Sequence, residues 1–308
     1  MRTSRPFDVL VVGEINPDLI LSGDVEPVFG QVEKLVGNAS LTIGSSSAIF
    51  ACGAARLGLK VAFIGKVGRD QFGQFMRGAL VERGVDISGV IIDSGVSTGL
   101  SVILAKEGDR AILTYPGAIP TLRLEEMNLD LLSQARHLHL GSYFIQDGLR
   151  PDVPRLFSLA HQQGLTVSLD TNYDPAEDWD NGLREALAHT DIFLPNETEC
   201  RNIARLDDLQ AAVDSLAERV GLVAVKCGAR GALLRAGKLQ INAASIPVEV
   251  VDSVGAGDSF DAGFITGFLS GWDYDRSLRL AAVCGALSTR AAGGTPAQAT
   301  MAEALPYV

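Results

Sequence analysis

The chain has 308 residues, of which 47% are hydrophobic and 20% charged. This composition is typical of a globular protein with a buried core and excludes a disordered chain. A formal net charge of −11 argues against nucleic acids and anionic membranes as partners, because both attract basic proteins. The charge says little about a phosphate ligand, which backbone amides can bind locally.

Signals for membrane insertion, secretion and disulfide bonding are missing from the sequence. No run of 18 apolar residues predicts a membrane-spanning helix, and the N-terminus lacks the apolar core and cleavage site of a signal peptide. The four cysteines form no C-x-x-C pair. We therefore expect reduced cysteines and a cytoplasmic location.

Short apolar runs alternate with helical patterns along most of the chain. This alternation predicts βαβ units and hence an α/β fold, with a mostly parallel sheet between helices. We expect a single domain that spans residues 1–308. The predicted strands cover residues 7–12, 61–65, 137–140, 166–170, 192–194 and 222–226, and the predicted helices cover residues 46–57, 71–83, 153–163, 182–188, 197–204 and 209–220.

Two segments, residues 19–43 and 98–115, interrupt this alternation with short strands and no convincing helix. In the second segment we predict a hairpin of residues 100–104 and 111–114 that turns at residues 106–109. Together the segments indicate a small antiparallel sheet that projects from the main one. Such a lid beside a cleft can exclude water from a reaction. The alternative is a surface hairpin without a gating role.

Polar residues directly follow the first predicted strand, in the sequence Gly-Glu-Ile-Asn-Pro-Asp at residues 13–18. Ligands of open α/β sheets bind beyond the carboxyl ends of the strands. Asn16 and Asp18 can therefore hydrogen-bond adjacent hydroxyls of a polyol. The alternative is a plain turn, since Asn-Pro and Asp favour turns. The serines at residues 45–47 open a predicted helix and are most simply N-cap residues.

Two further motifs lie at the ends of later strands. Asn196 and Glu199, three residues apart at the start of a predicted helix, can hold a hydrated Mg²⁺. The same pattern is typical of a capping box, and both interpretations can be true. Residues 225–232 form a Gly-rich turn after an apolar strand, which either passes under a nucleotide or is a plain β-turn.

The strongest signal is a loop of small residues that opens a predicted buried helix near the C-terminus. The first amides of a helix lack internal partners and lie at its positive end. Gly255, Ala256 and Gly257 would let a transferred phosphoryl group approach these amides closely. Asp258, at the mouth of this anion hole, can accept a proton from an attacking hydroxyl. The alternative is that Asp258 merely caps the helix.

Two common nucleotide-binding signatures do not occur in the sequence. The chain has no Walker A motif, G-x-x-x-x-G-K-S/T, anywhere along its length. It also has no G-x-G-x-x-G after the first strand, which disfavours a nicotinamide enzyme.

Taken together, these motifs resemble the ribokinase-like (PfkB) family of carbohydrate kinases, over nearly the whole chain. The family's C-terminal signature, D-S/T-x-G-A-G-D-x-F, matches residues 252–260 and is highly specific. Its N-terminal signature, a Gly-rich helix start followed by G-x-x-G-x-D-x-x-G, matches residues 44–73. The family's N-x-x-E motif matches residues 196–199, and its G-x-x-G turn matches residues 228–231. The resemblance implies a ribokinase-like three-layer α/β/α sandwich with a small β-sheet lid over the sugar.

The resemblance also implies a role for each matching residue. Asp258 corresponds to the family's catalytic base, and the amides of Gly255, Ala256 and Gly257 correspond to its anion hole. The residues that would contact the sugar are Asn16, Asp18, Gly44 and Ser45. The residues that would line the ATP site are Lys226, Gly228 and Gly231, and those that would organise Mg²⁺ through water are Asn196 and Glu199. Some members also bind a monovalent cation such as K⁺, through carbonyls at the positions of Asp252 and Val254.

Departures from the family pattern narrow the expected substrate. Ser46 and Ile49 stand where ribokinases have Lys and Asn, and Gly44-Ser45 replaces the Gly-Gly pair of many members, which disfavours ribose. Asp174 replaces the Arg of the D-x-N-x-R motif that ketodeoxygluconate and fructose kinases often have. A carboxylated sugar would therefore lack its cationic partner. We expect an ATP-dependent and Mg²⁺-dependent kinase of a small neutral sugar.

Alternatives to this expectation stay open. The nearest is a nucleoside kinase of the same family, which an aromatic ring over the sugar, such as Tyr115 or Phe144, would favour. Another is a non-catalytic sensor of sugar or nucleotide, which would have lost Asp258 or the N-x-x-E motif. We also expect a homodimer through the lid, because the edges of a projecting sheet need pairing or covering.

Overall fold

A computed structural model describes residues 5–106 and 109–308 of the chain, in which strands and helices alternate as expected. The strands are β1 (Val9–Val12), β2 (Pro17–Ser22), β3 (Asn38–Ile43), β4 (Val61–Gly68), β5 (Asp86–Asp93), β6 (Leu100–Lys106), β7 (Asp109–Tyr115), β8 (His137–Leu140), β9 (Thr166–Leu169), β10 (Ile192–Phe193), β11 (Leu222–Lys226), β12 (Ala232–Ala236) and β13 (Leu239–Ala243). The α-helices are α1 (Ser46–Arg56), α2 (Gln71–Glu82), α3 (Val153–Gln162), α4 (Leu183–Leu187), α5 (Glu197–Ala204), α6 (Leu209–Ala217), α7 (Ala256–Leu269), α8 (Tyr274–Ser288) and α9 (Met301–Ala304).

The main sheet has the strand order β13-β12-β11-β10-β9-β8-β1-β4-β5. Every neighbouring pair from β11 to β5 is parallel, and β12 and β13 form an antiparallel edge. The predicted α/β class with a mostly parallel sheet is therefore confirmed. The sequence pattern did not predict β5, β12, β13, α8 and α9, and β4 extends three residues beyond the predicted strand.

Helices cover both faces of this sheet, as the alternating side chains of β1 illustrate. Val9 and Val11 belong to a core cluster that includes Phe264 of α7, whereas Leu10 and Val12 belong to a second cluster on the opposite face. Successive side chains of a strand point to opposite faces, so a strand buried on both sides is apolar throughout. This arrangement confirms the three predicted layers.

A second sheet of four strands, ordered β3-β2-β6-β7, forms the lid. The β2–β3 and β6–β7 pairs are antiparallel as predicted, but β2 and β6 are parallel, so the expectation of an antiparallel sheet is wrong at this pair. The reason is that β2 and β6 belong to separate hairpins, whose connection runs through the main sheet. The tip of the predicted turn, residues 107–108, lies outside the described residues.

Helix length and polarity bear on membrane insertion. The longest helix, α8, has 15 residues. Within residues 5–106 and 109–308, no helix combines the length and the apolar character that crossing a membrane requires.

Candidate active site

A cavity of about 590 Å³ lies between the carboxyl ends of the main strands and the lid. Loops after β1, β8, β9 and β10 line it together with the first turns of α1 and α7. The predicted site residues that line this cavity are Asn16, Asp18, Ser45, Asn196, Glu199, Lys226, Gly228, Val254, Gly255, Gly257 and Asp258. Most of the predicted site is thus brought together at one end of the sheet.

A second cavity, of about 550 Å³, lies on the other side of the loop that opens α7. Its walls are mostly apolar or small, and they include the predicted residues Gly231 and Ala256. Lys226, Gly228 and Gly257 line both cavities. The two cavities therefore meet at this loop. The other apolar or small residues that line the second cavity include Ile246, Pro247, Val248, Phe260, Ala282, Gly285 and Ala286.

The start of α7 is built from backbone alone. Gly255, the N-cap residue, has φ 72° and offers no side-chain cap, so it leaves the first-turn amides without a capping side chain. A Cβ at Gly255 would come 2.6 Å from the Cα of Gly294, so only glycine fits here. One predicted anion-hole amide already has a partner, because the N–H of Ala256 donates to the Ser253 carbonyl at 3.3 Å.

Asp258 lies in the first turn of α7 and is only 7% exposed. Burial raises the pKa of its carboxyl to about 7, and the nearby charge of Asp170 adds to this effect. The ammonium of Lys226 and a hydrogen bond with Ser46 act in the opposite direction and lower it. A carboxyl with a pKa near the working pH is suited to accepting a proton during catalysis.

Lys226 is held by two buried carboxylates. Its Nζ lies 3.2 Å from Asp170 Oδ2 and 3.0 Å from Asp261 Oδ2. Burial alone would lower the pKa of Lys226, but these carboxylates outweigh burial and raise the pKa above its ordinary value. Asp261, one turn after Asp258 on α7, did not emerge from the sequence. The sequence signal that could have identified Asp261 is its position three residues after Asp258 on the predicted buried helix.

Asn196 and Glu199 form the capping box that the sequence allowed. The Oδ1 of Asn196 accepts from the amide of Glu199 at 3.0 Å, and Glu199 Oε2 accepts from the amide of Asn196 at 2.8 Å. Burial, together with the charge of Asp170, raises the pKa of Glu199 to about 7. The carboxyl lines the first cavity, so the cap does not remove it from the site.

At the other end of this cavity, Asn16 lies directly before β2, and Asp18 lies on this lid strand. The Nδ2 of Asn16 donates to Ser101 Oγ of β6 at 3.3 Å. Burial and the nearby charge of Glu14 raise the pKa of Asp18 to about 7. Gly44 lies under this carboxylate, because a Cβ at residue 44 would come 2.1 Å from Asp18 Oδ1.

Ser45 is an N-cap residue, as the simpler interpretation of the sequence held. Its hydroxyl accepts from the amide of Ala48 at 3.1 Å and donates to the Glu14 carbonyl at 2.5 Å. Both hydrogen-bonding functions of this hydroxyl are therefore used within the protein, although Ser45 also lines the cavity.

The lid reaches the loop before α7 through one arginine. Arg110 of β7 donates to Ser253 Oγ at 2.9 Å, and its guanidinium lies 3.7 Å from Asp252 Oδ1. The Asp252 carboxylate also accepts from the amides of Val254 and Gly293, at 3.0 and 2.8 Å. The side chain of Asp252 thus organises this loop.

The two aromatic residues that would have favoured a nucleoside are not among the residues that line the cavity. Phe144 is buried, and its ring centroid lies 5.4 Å from that of Tyr143 and 5.9 Å from that of Trp179. Tyr115, at the end of β7, is 57% exposed. Among the described residues that line the cavity, Tyr173 is the one with an aromatic side chain.

Several polar residues of the cavity were not singled out from the sequence as site residues. Among them are Glu14, Ser46, Ser142 and Asn172. Each lies directly after a strand or at a helix start. Position after a strand or at a helix start was the signal that could have found these four.

Comparison with known proteins agrees with the resemblance seen in the sequence. Residues 7–301 match the model of the pfkB family carbohydrate kinases. A fructokinase of Solanum tuberosum is 32% identical over 274 residues, 85% of each chain. An ATP-dependent ribose-1-phosphate kinase of Halopiger xanaduensis is 32% identical over 291 residues, 94% of each chain.

A solved structure shows the same fold with ligands bound. It is of an E. coli protein assigned as a ribokinase II, in complex with ATP and Mg²⁺. Its TM-score is 0.87 at 26% identity, and the match covers 98% of both chains. From the family match, the sequence relatives and this shared fold, we conclude that the chain belongs to the PfkB family of carbohydrate kinases, phosphotransferases that act on an alcohol group.

Proposed function

We propose that this protein transfers the γ-phosphate of ATP to a hydroxyl of a small neutral sugar. The observation that carries the proposal is the junction of two cavities of different character at Gly257, next to Asp258 of the first cavity. The cavity under the lid presents hydroxyls, amides and carboxylates, which suit a polyol. The cavity beyond the loop is apolar and suits a flat nucleobase.

On the nucleotide side, small residues of α8 leave room for a base, and Gly228 and Gly231 border the same space. A nucleotide bound there would direct its phosphates toward the start of α7. The free amides and the positive end of that helix would then stabilise the charge that develops on the transferred group.

On the sugar side, Asn16 and Asp18 would bind hydroxyls, and Asp258 would accept the proton of the attacking hydroxyl. The oxygen of that hydroxyl forms a bond to the γ-phosphorus, the bond from this phosphorus to the bridging oxygen of ADP breaks, and the proton passes to the Asp258 carboxylate. Closure of the lid would exclude water from the reaction.

The residues present also fit a divalent cation. The carboxylates of Asp170, Glu199, Asp258 and Asp261 surround the single ammonium of Lys226, so negative charge is in excess where the cavities meet. Asn196 and Glu199 would organise Mg²⁺ through water. The ion would supply neutralisation of the phosphate charge.

Charge supports a neutral substrate. Glu14, Asp18 and Asp258 line the sugar cavity and would repel a sugar acid or a sugar phosphate. Among the described residues, the two cations of the cavity, Arg110 and Lys226, lie against Asp252 and against Asp170 and Asp261. The similarity to a fructokinase agrees with this choice, whereas the similarity to a ribose-1-phosphate kinase makes sugar phosphates a necessary comparison.

The experiment is a coupled assay of ADP release with neutral hexoses and pentoses, nucleosides and sugar phosphates, each with and without K⁺. We expect the highest kcat/KM with a neutral sugar. A higher value with a nucleoside or a sugar phosphate would overturn the substrate class, and no ADP release with any of them would favour the sensor alternative. Dependence on K⁺ would support a cation site at Asp252 and Val254, and its absence would contradict that site.

We further propose that the lid pairs with the lid of a second copy. On its outer face, the register aligns Leu41, Leu19, Val102 and Leu113 across all four strands. Leu41 is 41% exposed and Leu113 is 61% exposed, so the row is open to solvent in one chain. Leu113→Lys should convert a dimer to a monomer in light scattering, and a wild-type monomer would contradict the proposal.

The single domain over residues 1–308 and the cytoplasmic location stay predictions.

A further inference from the structure

A row of polar side chains leads from the buried carboxylate of Glu14 toward Asp258. Three members follow adjacent strands of the main sheet: Asn172 follows β9, Ser142 follows β8 and Glu14 follows β1. Because neighbouring strands lie about 4.8 Å apart, polar side chains at their ends come within hydrogen-bond distance of each other. The fourth member, Ser46, is the first residue of α1.

Hydrogen bonds connect this row from Glu14 as far as Ser46. Ser142 Oγ donates to Glu14 Oε1 at 2.8 Å, and the Nδ2 of Asn172 donates to Ser142 Oγ at 2.7 Å. The same Nδ2 donates to Ser46 Oγ, and Ser46 lines the same cavity as Asp258, whose pKa its hydroxyl lowers. Glu14 also accepts from the hydroxyl of Ser47 at 2.5 Å. All members of the row line the sugar cavity.

The direction of each hydrogen bond follows from the number of protons available. Ser142 has one hydroxyl proton and gives it to Glu14, so its oxygen can only accept from Asn172. The amide of Asn172 has two protons and no other group on Nδ2, so one goes to Ser142 and the other to Ser46. Ser46 accepts from Asn172, which leaves its own proton for the Asp258 carboxylate.

We propose that Asn172 is a positioning residue, whose amide directs the hydroxyl proton of Ser46 to Asp258 and so orients the carboxylate toward the attacking hydroxyl of the substrate. This inference rests on the proposed role of Asp258 as the base. Asn172 acts through Ser46 and does not itself take part in the proton transfer.

Two features fit this arrangement. Asn172 has φ 55°, in the left-handed region that Asn tolerates better than most residues. Ser46 stands where ribokinases have Lys, and an ammonium can only donate, so it could not accept from Asn172 and pass a proton on.

The test uses an isosteric substitution that reverses the direction of the hydrogen bond between residue 172 and Ser46. In Asn172→Asp the side chain can only accept, so the proton of Ser46 turns to residue 172 and Asp258 loses its donor. We expect kcat to fall roughly 10- to 100-fold with the KM for ATP unchanged, the effect of losing one hydrogen bond to a charged group. Ser46→Ala should give a fall of similar size without adding a charge.

The double variant Asn172→Asp/Ser46→Ala should be no slower than the slower single variant, because both changes remove the same hydrogen bond. Asn242→Asp adds the same charge on the exposed edge strand β13 and should keep the wild-type kcat. Thermal unfolding of each variant separates loss of folding from loss of positioning. If Asn172→Asp does not fold, the kcat of Ser46→Ala decides.

Two results would overturn the inference: a wild-type kcat in Ser46→Ala, or losses that multiply in the double variant. Asp258→Asn, assayed in parallel, separates the proposal that Asp258 is the base from the proposal that Asn172 positions it. If Asp258→Asn keeps its turnover, the proposed base is wrong. If it loses turnover while Ser46→Ala does not, only the positioning by Asn172 is wrong.

Discussion

The carboxyl end of the main sheet and the lid differ in how their polar groups are held. At the sheet end, Lys226 and Asp261 form a buried ion pair, and Asp258 is nearly enclosed. In the lid, Lys106 and Glu26 form an ion pair whose side chains are 66% and 72% exposed. The groups proposed for phosphoryl transfer are thus fixed before a ligand binds. The lid has fewer enclosed contacts and can move at lower cost.

The largest expected effect tests the fixed region. Asp258→Asn keeps the size of the side chain but cannot accept the proton, so we expect turnover to fall about 10²- to 10⁴-fold. ATP affinity, measured by calorimetry, should stay within about twofold, because the amides at the start of α7 remain. Near-normal turnover would remove Asp258 from the mechanism.

The next prediction compares ion pairs of the two regions. Lys226→Met leaves Asp170 and Asp261 buried without a counter-ion, so the free energy of unfolding should fall by about 3–5 kcal/mol. Lys106→Met, the matched change in the lid, should cost about 0–1 kcal/mol, since that pair is exposed to solvent. Urea unfolding measures both. Equal losses would contradict the contrast between the regions.

The pH dependence of activity sharpens the same contrast. Burial raises the pKa of Asp258 to about 7, so the ionised base is lost as pH falls through that value. We expect kcat/KM to fall about tenfold per pH unit below 7 and to level off above it. Asp18 and Glu199 titrate in the same range, so the profiles of Asp18→Asn and Glu199→Gln separate their contributions. A flat profile down to about pH 5 would contradict a base with a raised pKa.

The smallest effect is expected in the lid. Ser101 accepts from Asn16 at 3.3 Å and lies 3.1 Å from Thr114, so it links the lid to the sugar-binding residues. Ser101→Ala should raise the KM for the sugar roughly 3- to 10-fold and leave kcat nearly unchanged, the loss of one neutral hydrogen bond. Ser40→Ala, at an exposed serine of the same sheet, serves as control. A large fall in kcat would place Ser101 in the reacting centre.

Local signals explain what the sequence could predict. The loop before α7 and the capping box at Asn196 depend on residues a few positions apart, so their spacing is readable. The row from Asn172 through Ser142 to Glu14 depends on the order of β9, β8 and β1 in the sheet. No local pattern encodes that order. The parallel pairing of β2 with β6 was missed for the same reason, because the two strands are distant in the chain.

The edge hairpin of β12 and β13 was missed for a different reason. Its outer strand β13 is largely exposed, so it lacks the continuous apolar run by which the buried strands were recognised. Lys226 shows a further limit. Its position in the Gly-rich turn favoured a nucleotide contact, whereas its ammonium is engaged by Asp170 and Asp261, whose proximity only the fold determines.

The central claim is that sugar and nucleotide meet at the start of α7, beside residue 258. A crystal structure of the Asp258→Asn variant with its best sugar and a non-hydrolysable ATP analogue tests this most directly. We expect the acceptor hydroxyl to lie about 2.6–3.2 Å from the side chain of residue 258. The terminal phosphate should lie against the first amides of the helix. A sugar or a terminal phosphate bound away from that helix start would contradict the claim.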